Sequence, residues 1–159
     1  VRGVVHLTYF LVPWLKNRGG AIVNVSSLAA FQPTPFLSVY GATKAFLLHW
    51  SLSLGEELRG TGVHVLAACP GPTRTNFFRS AGFTRRLENV AGRDPDEVAE
   101  AVFRSLFKGR AVMTCGLRDW FLATFAARLP RTWSARLSGG ILRRMRLTRF
   151  KEGGSGDEK

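Results

Sequence analysis

The 159-residue chain has the length of about one domain, and 45% of its residues are hydrophobic against 21% charged. That composition excludes a disordered chain and is enough to build a packed core. The two cysteines, Cys69 and Cys115, are too few for a disulfide scaffold and lie in apolar runs, which favours free thiols and a cytoplasmic location. No Cys or His cluster has metal-site spacing, and no charge-free apolar stretch approaches the ~20 residues that span a bilayer.

Helical and strand-like patterns alternate along the chain. Helices are predicted over residues 3–16, over 38–59 with Ser38 as N-cap, and from an Asp94 cap onward. Short β-rich runs predict strands over residues 21–26, 63–69 and 111–115. The order α-β-α-β-α-β predicts an α/β fold whose parallel strands are joined by right-handed crossovers. The first two helices are apolar nearly all round, so we expect both to be largely buried.

Three polar residues form the most informative pattern. Ser27 ends the first predicted strand, Tyr40 begins the next helix, and Lys44 lies at i+4 from Tyr40 on the same helical face. A cation beside a phenol favours the phenolate, which suits a tyrosine that exchanges protons near neutral pH. A serine hydroxyl nearby can hold a substrate oxygen. The Tyr-x-x-x-Lys spacing alone arises by chance in about 6% of such chains, but the serine at a strand end makes the combination much more specific.

The segments N-V-S-S and Y-G-A-T-K, followed by C-P-G-P-T-R-T, resemble the short-chain dehydrogenase/reductase family. The resemblance covers residues 1 to about 116 and follows the family's order of elements without a gap. It implies a Rossmann-like, doubly wound parallel sheet. It also implies an oxidoreductase that transfers hydride between a nicotinamide cofactor, NADP or NAD with NADP favoured, and a carbonyl or alcohol substrate.

The resemblance assigns a role to individual residues. In the family's terms Ser27 polarises the substrate carbonyl, Tyr40 is the proton donor, and Lys44 binds the cofactor's ribose and tunes the tyrosine. The segment after the second strand borders the nicotinamide. The cofactor-binding residues implied there, besides Tyr40 and Lys44, are Pro70, Gly71, Thr73 and Thr75. No metal is implied.

Aromatic residues after this segment bear on the substrate. Phe77, Phe78 and Phe83 fall where family members carry a mobile lid over the site. As lid residues they favour an apolar carbonyl substrate. A hydrophobic plug within a loop is an equally favoured interpretation of the same cluster.

The front of the family's pattern is absent from this sequence. The glycine-rich phosphate-binding turn and the N-N-A-G stretch belong upstream of Val1, and the opening V-R-G-V-V resembles the helix that follows the family's catalytic asparagine. We therefore expect residues 1–116 to be the C-terminal part of an incomplete Rossmann-type domain. Because the pyrophosphate binds at that first turn, we expect this piece alone to be inactive and to bind cofactor poorly.

The positive charge is concentrated in the last third of the chain. Residues 1–103 carry a net charge of +3 and residues 104–151 a net charge of +11. Within the second range Trp133, Leu137, Ile141 and Met145 recur every four residues among arginines. This pattern predicts a basic amphipathic helical extension over residues 117–151, and the sequence after it predicts a disordered tail over 152–159.

Two partners and one alternative function stay open. The basic extension fits an anionic membrane surface and a helix packed on the enzyme or its dimer partner equally well, whereas nucleic acid is least favoured. The family usually forms dimers or tetramers by packing the two long helices, here 3–16 and 38–59, so we expect a homo-oligomer. The alternative to an enzyme is a non-catalytic membrane-surface or scaffolding protein built on a truncated dehydrogenase fold.

Overall fold

A computed structural model describes residues 1–76 and 92–150 of the chain, without the side chains of Leu122 and residues 144–150. The helices in this part are α1 (Arg2–Arg18), α2 (Ser38–Glu57), α3 (Pro95–Phe107), α4 (Leu117–Arg128) and α5 (Arg131–Phe150). The strands are β1 (Gly20–Val25), β2 (Val63–Cys69) and β3 (Val112–Thr114), and a 3-10 turn spans Leu28–Phe31. The predicted Phe77, Phe78 and Phe83 cluster and the predicted tail over 152–159 lie outside the described residues.

The described strands form one parallel sheet in the order β1-β2-β3. Gly20 pairs with Val63 at one end of the first ladder and Val25 with Ala68 at the other, so both strands run in step toward the same edge. The predicted α/β fold with alternating helices and parallel strands is therefore confirmed, and each predicted strand lies within one residue of an observed one.

The central strand β2 has helices packed on both of its faces. Ala67 and Cys69 pack with Leu48 of α2 on one face. The alternate residues Leu66 and Ala68 pack with Met113 and the apolar stripe of α3 on the other. Because successive side chains of a strand point to opposite faces, a fully buried strand needs cover on both sides, and this arrangement explains its continuous apolar sequence.

The helix starts agree with the sequence only in part. The Asp94 side chain accepts a hydrogen bond from the Asp96 N–H, and Pro95 is the first helical residue of α3, which confirms the predicted cap. The prediction of Ser38 as an N-cap is wrong, because Leu37 holds that position and Ser38 is already helical.

The expectation that the first helix is largely buried is also wrong within this chain. Thr8 is the buried residue of α1, whereas Tyr9 and Phe10 are 75% and 73% exposed and Trp14 is 53% exposed. A helical pattern that is apolar all round shows that a helix can be covered on several sides, but not which surface covers it. No helix among the described residues is long and apolar enough to cross a membrane.

Candidate active site

The chemistry-bearing residues lie beyond the carboxyl ends of two neighbouring strands. Ser26 and Ser27 follow β1, and the segment beginning at Pro70 follows β2. The strands are parallel, so both ends open at the same edge of the sheet, where ligands of doubly wound folds bind. The backbone ties the two ends together: the Ser26 N–H donates to the Ala68 carbonyl at 2.7 Å and the Leu28 N–H to the Pro70 carbonyl at 3.0 Å.

Lys44 is held between its own helix and the end of β1. Its Nζ atom donates to the Val25 carbonyl at 2.8 Å and lies 5.7 Å from the centre of the Tyr40 ring. The Ser26 hydroxyl donates to the Lys44 carbonyl at 2.7 Å and so fixes α2 to the strand end. Partial burial lowers the pKa of the Lys44 ammonium. This desolvation outweighs the smaller, opposite effect of the nearby Cys69 side chain. The buried Cys69 thiol itself stays neutral, because desolvation raises its pKa to about 11.

Tyr40 is positioned by a close approach of α2 to the loop before it. Gly41 is buried, and a Cβ atom at this position would overlap the Thr34 hydroxyl. Thr34 is 9% exposed and its hydroxyl donates to the Leu37 carbonyl at 3.1 Å, so it cannot move away easily. The absence of a side chain at Gly41 therefore lets the first turn of α2, with Tyr40 on it, settle against this loop.

The Ser27 hydroxyl is oriented by the 3-10 turn that follows it. Its oxygen accepts a hydrogen bond from the Ala29 N–H at 3.2 Å, as an N-cap does. A hydroxyl whose oxygen is engaged as an acceptor still carries one proton to donate. The turn thus leaves Ser27 with the polarity needed to donate to a substrate oxygen.

The segment after β2 is braced by a second piece of chain. Thr73 forms a parallel bridge with Arg93, and the Thr73 hydroxyl donates to the Gly71 carbonyl at 3.1 Å. Arg74 pairs with Asp94, the N-cap of α3, at 2.8 Å. The backbone between Pro72 and Thr75 therefore keeps its shape without being part of the sheet.

These elements enclose a cavity of about 480 Å³. All of the residues predicted for catalysis or cofactor binding line it: Ser27, Tyr40, Lys44, Pro70, Gly71, Thr73 and Thr75. Lys44 is the one charged side chain among the described residues that line the cavity. The described lining thus combines a single cation, several hydroxyl groups and the Gln32 amide with apolar side chains.

Comparison with known proteins assigns the family. The profile of the short chain dehydrogenases matches residues 1–85, more than half of the chain. The chain belongs to the short-chain dehydrogenase/reductase family. The resemblance stated from the sequence is confirmed, and the matched residues include Ser27, Tyr40, Lys44 and the segment after β2.

The relatives of this short-chain dehydrogenase/reductase are longer than the chain itself. It is 37% identical over 109 residues to "Serine 3-dehydrogenase" of Agrobacterium fabrum, covering 65% of this chain and 44% of that protein. It is 46% identical over 112 residues to "Ketoacyl reductase HetN" of a Nostoc species, covering 64% of this chain and 36% of that protein. The chain thus spans less than half the length of these curated relatives.

Solved structures of the family superpose on most of the chain. A short chain dehydrogenase from Burkholderia cenocepacia, in complex with NADP, matches with a TM-score of 0.69 and 27% identity over 85% of this chain and 54% of that one. A short-chain dehydrogenase from Sphingobium yanoikuyae, in complex with NADPH, matches with a TM-score of 0.67 and 27% identity over 100% of this chain and 57% of that one. Both likenesses agree with the Rossmann-like fold.

Three cavity-lining residues of this dehydrogenase/reductase lie far from the motifs along the sequence. Ser138, Ile141 and Leu142 belong to α5, in the basic extension that the sequence placed outside the motif-bearing part. Gln32 lines the cavity as well. No spacing or charge pattern distinguishes these positions, because their place in the site depends on how α5 packs and not on local sequence.

Proposed function

We propose that the protein is an NADP(H)-dependent oxidoreductase that interconverts a carbonyl compound and its alcohol. The observation that carries the proposal is that Ser27, Tyr40 and Lys44 line one cavity together with the segment after β2. Family membership gives the reaction class, and the relatives are named as dehydrogenases or reductases. The non-catalytic alternative has no comparable support, since a protein used only as a surface has no need for this group of side chains.

The residues present fit a nicotinamide cofactor. Lys44 offers a cation and Tyr40 a hydroxyl for the ribose, and Pro70, Gly71, Thr73 and Thr75 provide backbone and hydroxyl groups for the carboxamide. NADP is preferred to NAD because the two solved relatives described above hold NADP and NADPH. The chemistry that the bound nicotinamide supplies is a hydride, delivered to the carbonyl carbon or taken from the alcohol carbon.

The chain's own residues manage the proton and the substrate oxygen. In the reduction direction Tyr40 gives its phenolic proton to the oxygen as the C=O bond becomes a C–OH group, and in the oxidation direction it takes the proton back. Ser27 donates a hydrogen bond to the same oxygen and stabilises the negative charge that develops on it. Lys44 is held in place by the Val25 carbonyl, and its Nζ atom lies 5.7 Å from the centre of the Tyr40 ring, so that a positive charge stands beside the group that loses the proton.

Calorimetric titration with NADPH tests the cofactor part of the proposal. It uses the full-length protein, meaning the natural gene product with any residues that precede Val1 in it. Lys44→Met should weaken NADPH binding at least tenfold, because it removes the cation that lines the cavity. Lys16→Met, at an exposed position near the end of α1, is the matched control and should bind as the parent does. Equal NADPH affinity of the Lys44→Met protein and the parent would contradict the cofactor assignment.

Self-association through α1 and α2 remains a proposal of its own. Exposed aromatic residues on α1 support it: Tyr9, Phe10 and Trp14 would bury a large apolar area against a second copy. On α2, Phe46 stacks on Trp50 at 6.0 Å, and Phe46 is 37% exposed. This pair forms a rigid aromatic surface that a partner helix can cover.

An anionic surface is the second candidate partner, through residues 117–151. Trp133 and Leu137 on α5 are 67% and 59% exposed, and Arg136 and Arg143 of the same helix are exposed as well. Each arginine near an anionic leaflet contributes about 1 kcal/mol. We expect the protein to sediment with anionic vesicles but not with neutral ones. The fraction that sediments with anionic vesicles should fall in an Arg136→Gln, Arg143→Gln variant. Equal partition into both vesicle types would contradict the proposal.

A further inference from the structure

One turn of α5 is attached to the loop that leads into the candidate active site. The Ser138 hydroxyl is buried and lies 2.7 Å from the Pro33 carbonyl oxygen, to which it donates, and 2.8 Å from the Ser134 carbonyl of its own helix. Ser138 thus joins two parts of the chain that are 105 residues apart. The loop that contains Pro33 continues through Thr34 to Tyr40 on α2. Both α5 and α2 are therefore attached to this loop.

A glycine makes this close contact possible. A Cβ atom at Gly139 would lie 3.3 Å from the Pro35 side chain, a tighter contact than packed atoms normally make, whereas a Cβ atom at Gly140 would meet open space. Glycine in the middle of a helix costs stability relative to alanine. At Gly139 that cost has a structural reason, because the missing side chain lets α5 lie directly on the loop.

The contact brings two apolar side chains to the cavity. Ile141 and Leu142 follow Ser138 by three and four residues, so they lie on the same side of the helix, and both line the cavity together with Ser27 and Tyr40. Ile141 is 52% exposed and therefore lies at the rim, whereas Leu142 is only partly exposed and lies deeper. The α5 wall of the cavity, defined here as Ser138, Ile141 and Leu142, offers a substrate no charged group.

From this geometry we infer that the α5 wall selects the substrate, and that the substrate is a neutral carbonyl compound with an extended apolar part. The inference rests on the proposed function and deepens it. The reacting oxygen is held by Ser27 and Tyr40. Lys44, the one cation of the described lining, donates to the Val25 carbonyl and is assigned to the cofactor's ribose in the proposed function. Among the described residues of the lining, an ionised substrate group placed against Leu142 would lose hydration without meeting an opposite charge. An alkyl group in the same place gains apolar contact instead.

Substitutions at Leu142 in both directions test the inference in the full-length protein. We propose a series of methyl ketones of increasing chain length, each paired with the keto acid that carries a carboxylate at the far end. For the parent, kcat/KM with NADPH should rise about threefold or more per added methylene until the wall is covered, and each keto acid should be at least tenfold poorer than its ketone. Leu142→Ala should flatten the rise by raising KM for the longer ketones while kcat stays nearly constant.

Leu142→Phe makes the side chain larger where Leu142→Ala makes it smaller. Because a poorly folded variant would lose activity on every ketone, a selective loss in Leu142→Phe separates substrate selection from misfolding. It should reject long ketones while short ones are turned over as by the parent. Leu137→Ala, at an exposed position of the same helix, is the matched control and should keep the parent's profile. Ligand-detected NMR of the ketones, recorded without cofactor, gives a second readout in which Leu142→Ala weakens binding of the long ketone alone.

The outcomes separate this inference from the proposed function. If the parent turns over ketones and both Leu142 variants keep its chain-length profile, the α5 wall is not the selecting surface. If the keto acids are preferred, the substrate class is wrong. If the parent oxidises no NADPH with any ketone and NMR detects no ketone binding, both the inference and the proposed carbonyl chemistry fail. The cofactor assignment would still stand in that case if NADPH binds and its binding depends on Lys44.

Discussion

The candidate active site is built from two regions that differ in how they are held and in how visible they are in the sequence. The first is the carboxyl edge of the sheet with the start of α2, where Ser27, Tyr40 and Lys44 lie within eighteen residues of one another along the chain. The second is the α5 wall, nearly a hundred residues further on. Hydrogen bonds to backbone groups lock the first region at several points, whereas Ser138 and the Gly139 contact attach the second.

The difference favours separate roles for the two regions in the proposed reaction, proton transfer for the first and substrate selection for the second. The proposed proton transfer needs groups that are closely positioned, and the bonds from Ser26 to the Lys44 carbonyl and from Lys44 to the Val25 carbonyl attach the start of α2 to the end of β1. Substrate selection needs a surface of suitable shape, which a helix attached at one turn can supply. Changes in the first region should therefore affect every substrate alike, and changes in the second should alter the preference among substrates.

The largest effect on folding is expected at Gly41, the glycine that follows Tyr40. Gly41→Ala forces a methyl group onto Thr34, so α2 or the loop must shift. We expect a loss of about 1–3 kcal/mol in the free energy of unfolding, the usual scale for overpacking, together with reduced turnover of all substrates. Urea unfolding followed by circular dichroism measures the stability change.

Gly140→Ala in α5 is the matched control for this comparison. A Cβ atom there meets open space, and replacing a helical glycine by alanine should stabilise the protein by about 0.5–1 kcal/mol. If Gly140→Ala were as damaging as Gly41→Ala, the close approach of Thr34 to Gly41 would not be the cause. Unchanged stability of the Gly41→Ala protein would show that the first region is looser than the structure indicates.

The sequence predicted the first region well because its signals are local. Strand ends, helix starts and the spacing of Tyr40 and Lys44 depend on residues a few positions apart, and the resemblance to a known family rests on that stretch. Even there, the overlap that fixes Gly41 against Thr34 was not predictable, because it depends on the path of the loop.

The second region was predicted as a basic amphipathic helix, and the structure does contain a helix over Arg131–Phe150. Its place at the cavity was not predicted. Gly139 and Gly140 look alike in the sequence, where both weaken a helix, and only tertiary packing distinguishes the one that touches Pro35 from the one that faces open space. The covering of α1 was mispredicted for the same reason: an apolar helix surface does not specify its partner.

The smallest effect is expected where the segment after β2 is braced against α3. The hydrogen bond from Arg74, followed by that from the Asp96 N–H, lowers the pKa of Asp94 below its ordinary 3.8. A lowered carboxyl pKa contributes stability that is present above the ordinary value and is lost as the pH falls through the lowered one. Asp94→Asn keeps a good helix cap but removes the charge, so it should be slightly less stable than the parent at neutral pH.

Thermal unfolding at pH 7 and at a pH of about 2 checks this prediction. The unfolding temperatures of the Asp94→Asn protein and the parent should converge in acid, because Asp94 itself becomes neutral there. Asp96→Asn is a suitable control, because Asp96 is also in the first turn of α3 but does not pair with Arg74. A gap between parent and Asp94→Asn that is as wide in acid as at pH 7 would assign the effect to packing and not to charge.

The central claim is that Tyr40 transfers the proton in the proposed reaction, and the two tyrosines of the chain allow a direct test. The measurement is kcat for NADPH-dependent reduction of a methyl ketone by the full-length parent, Tyr40→Phe and Tyr9→Phe proteins. Because Tyr9 lies on α1 and is not among the residues that line the cavity, Tyr9→Phe should leave kcat within twofold of the parent. Tyr40→Phe should lower kcat by about 10²–10⁴, the usual scale for losing a general acid, with NADPH affinity nearly unchanged. Turnover of the Tyr40→Phe protein within threefold of the parent would contradict the assignment of the site.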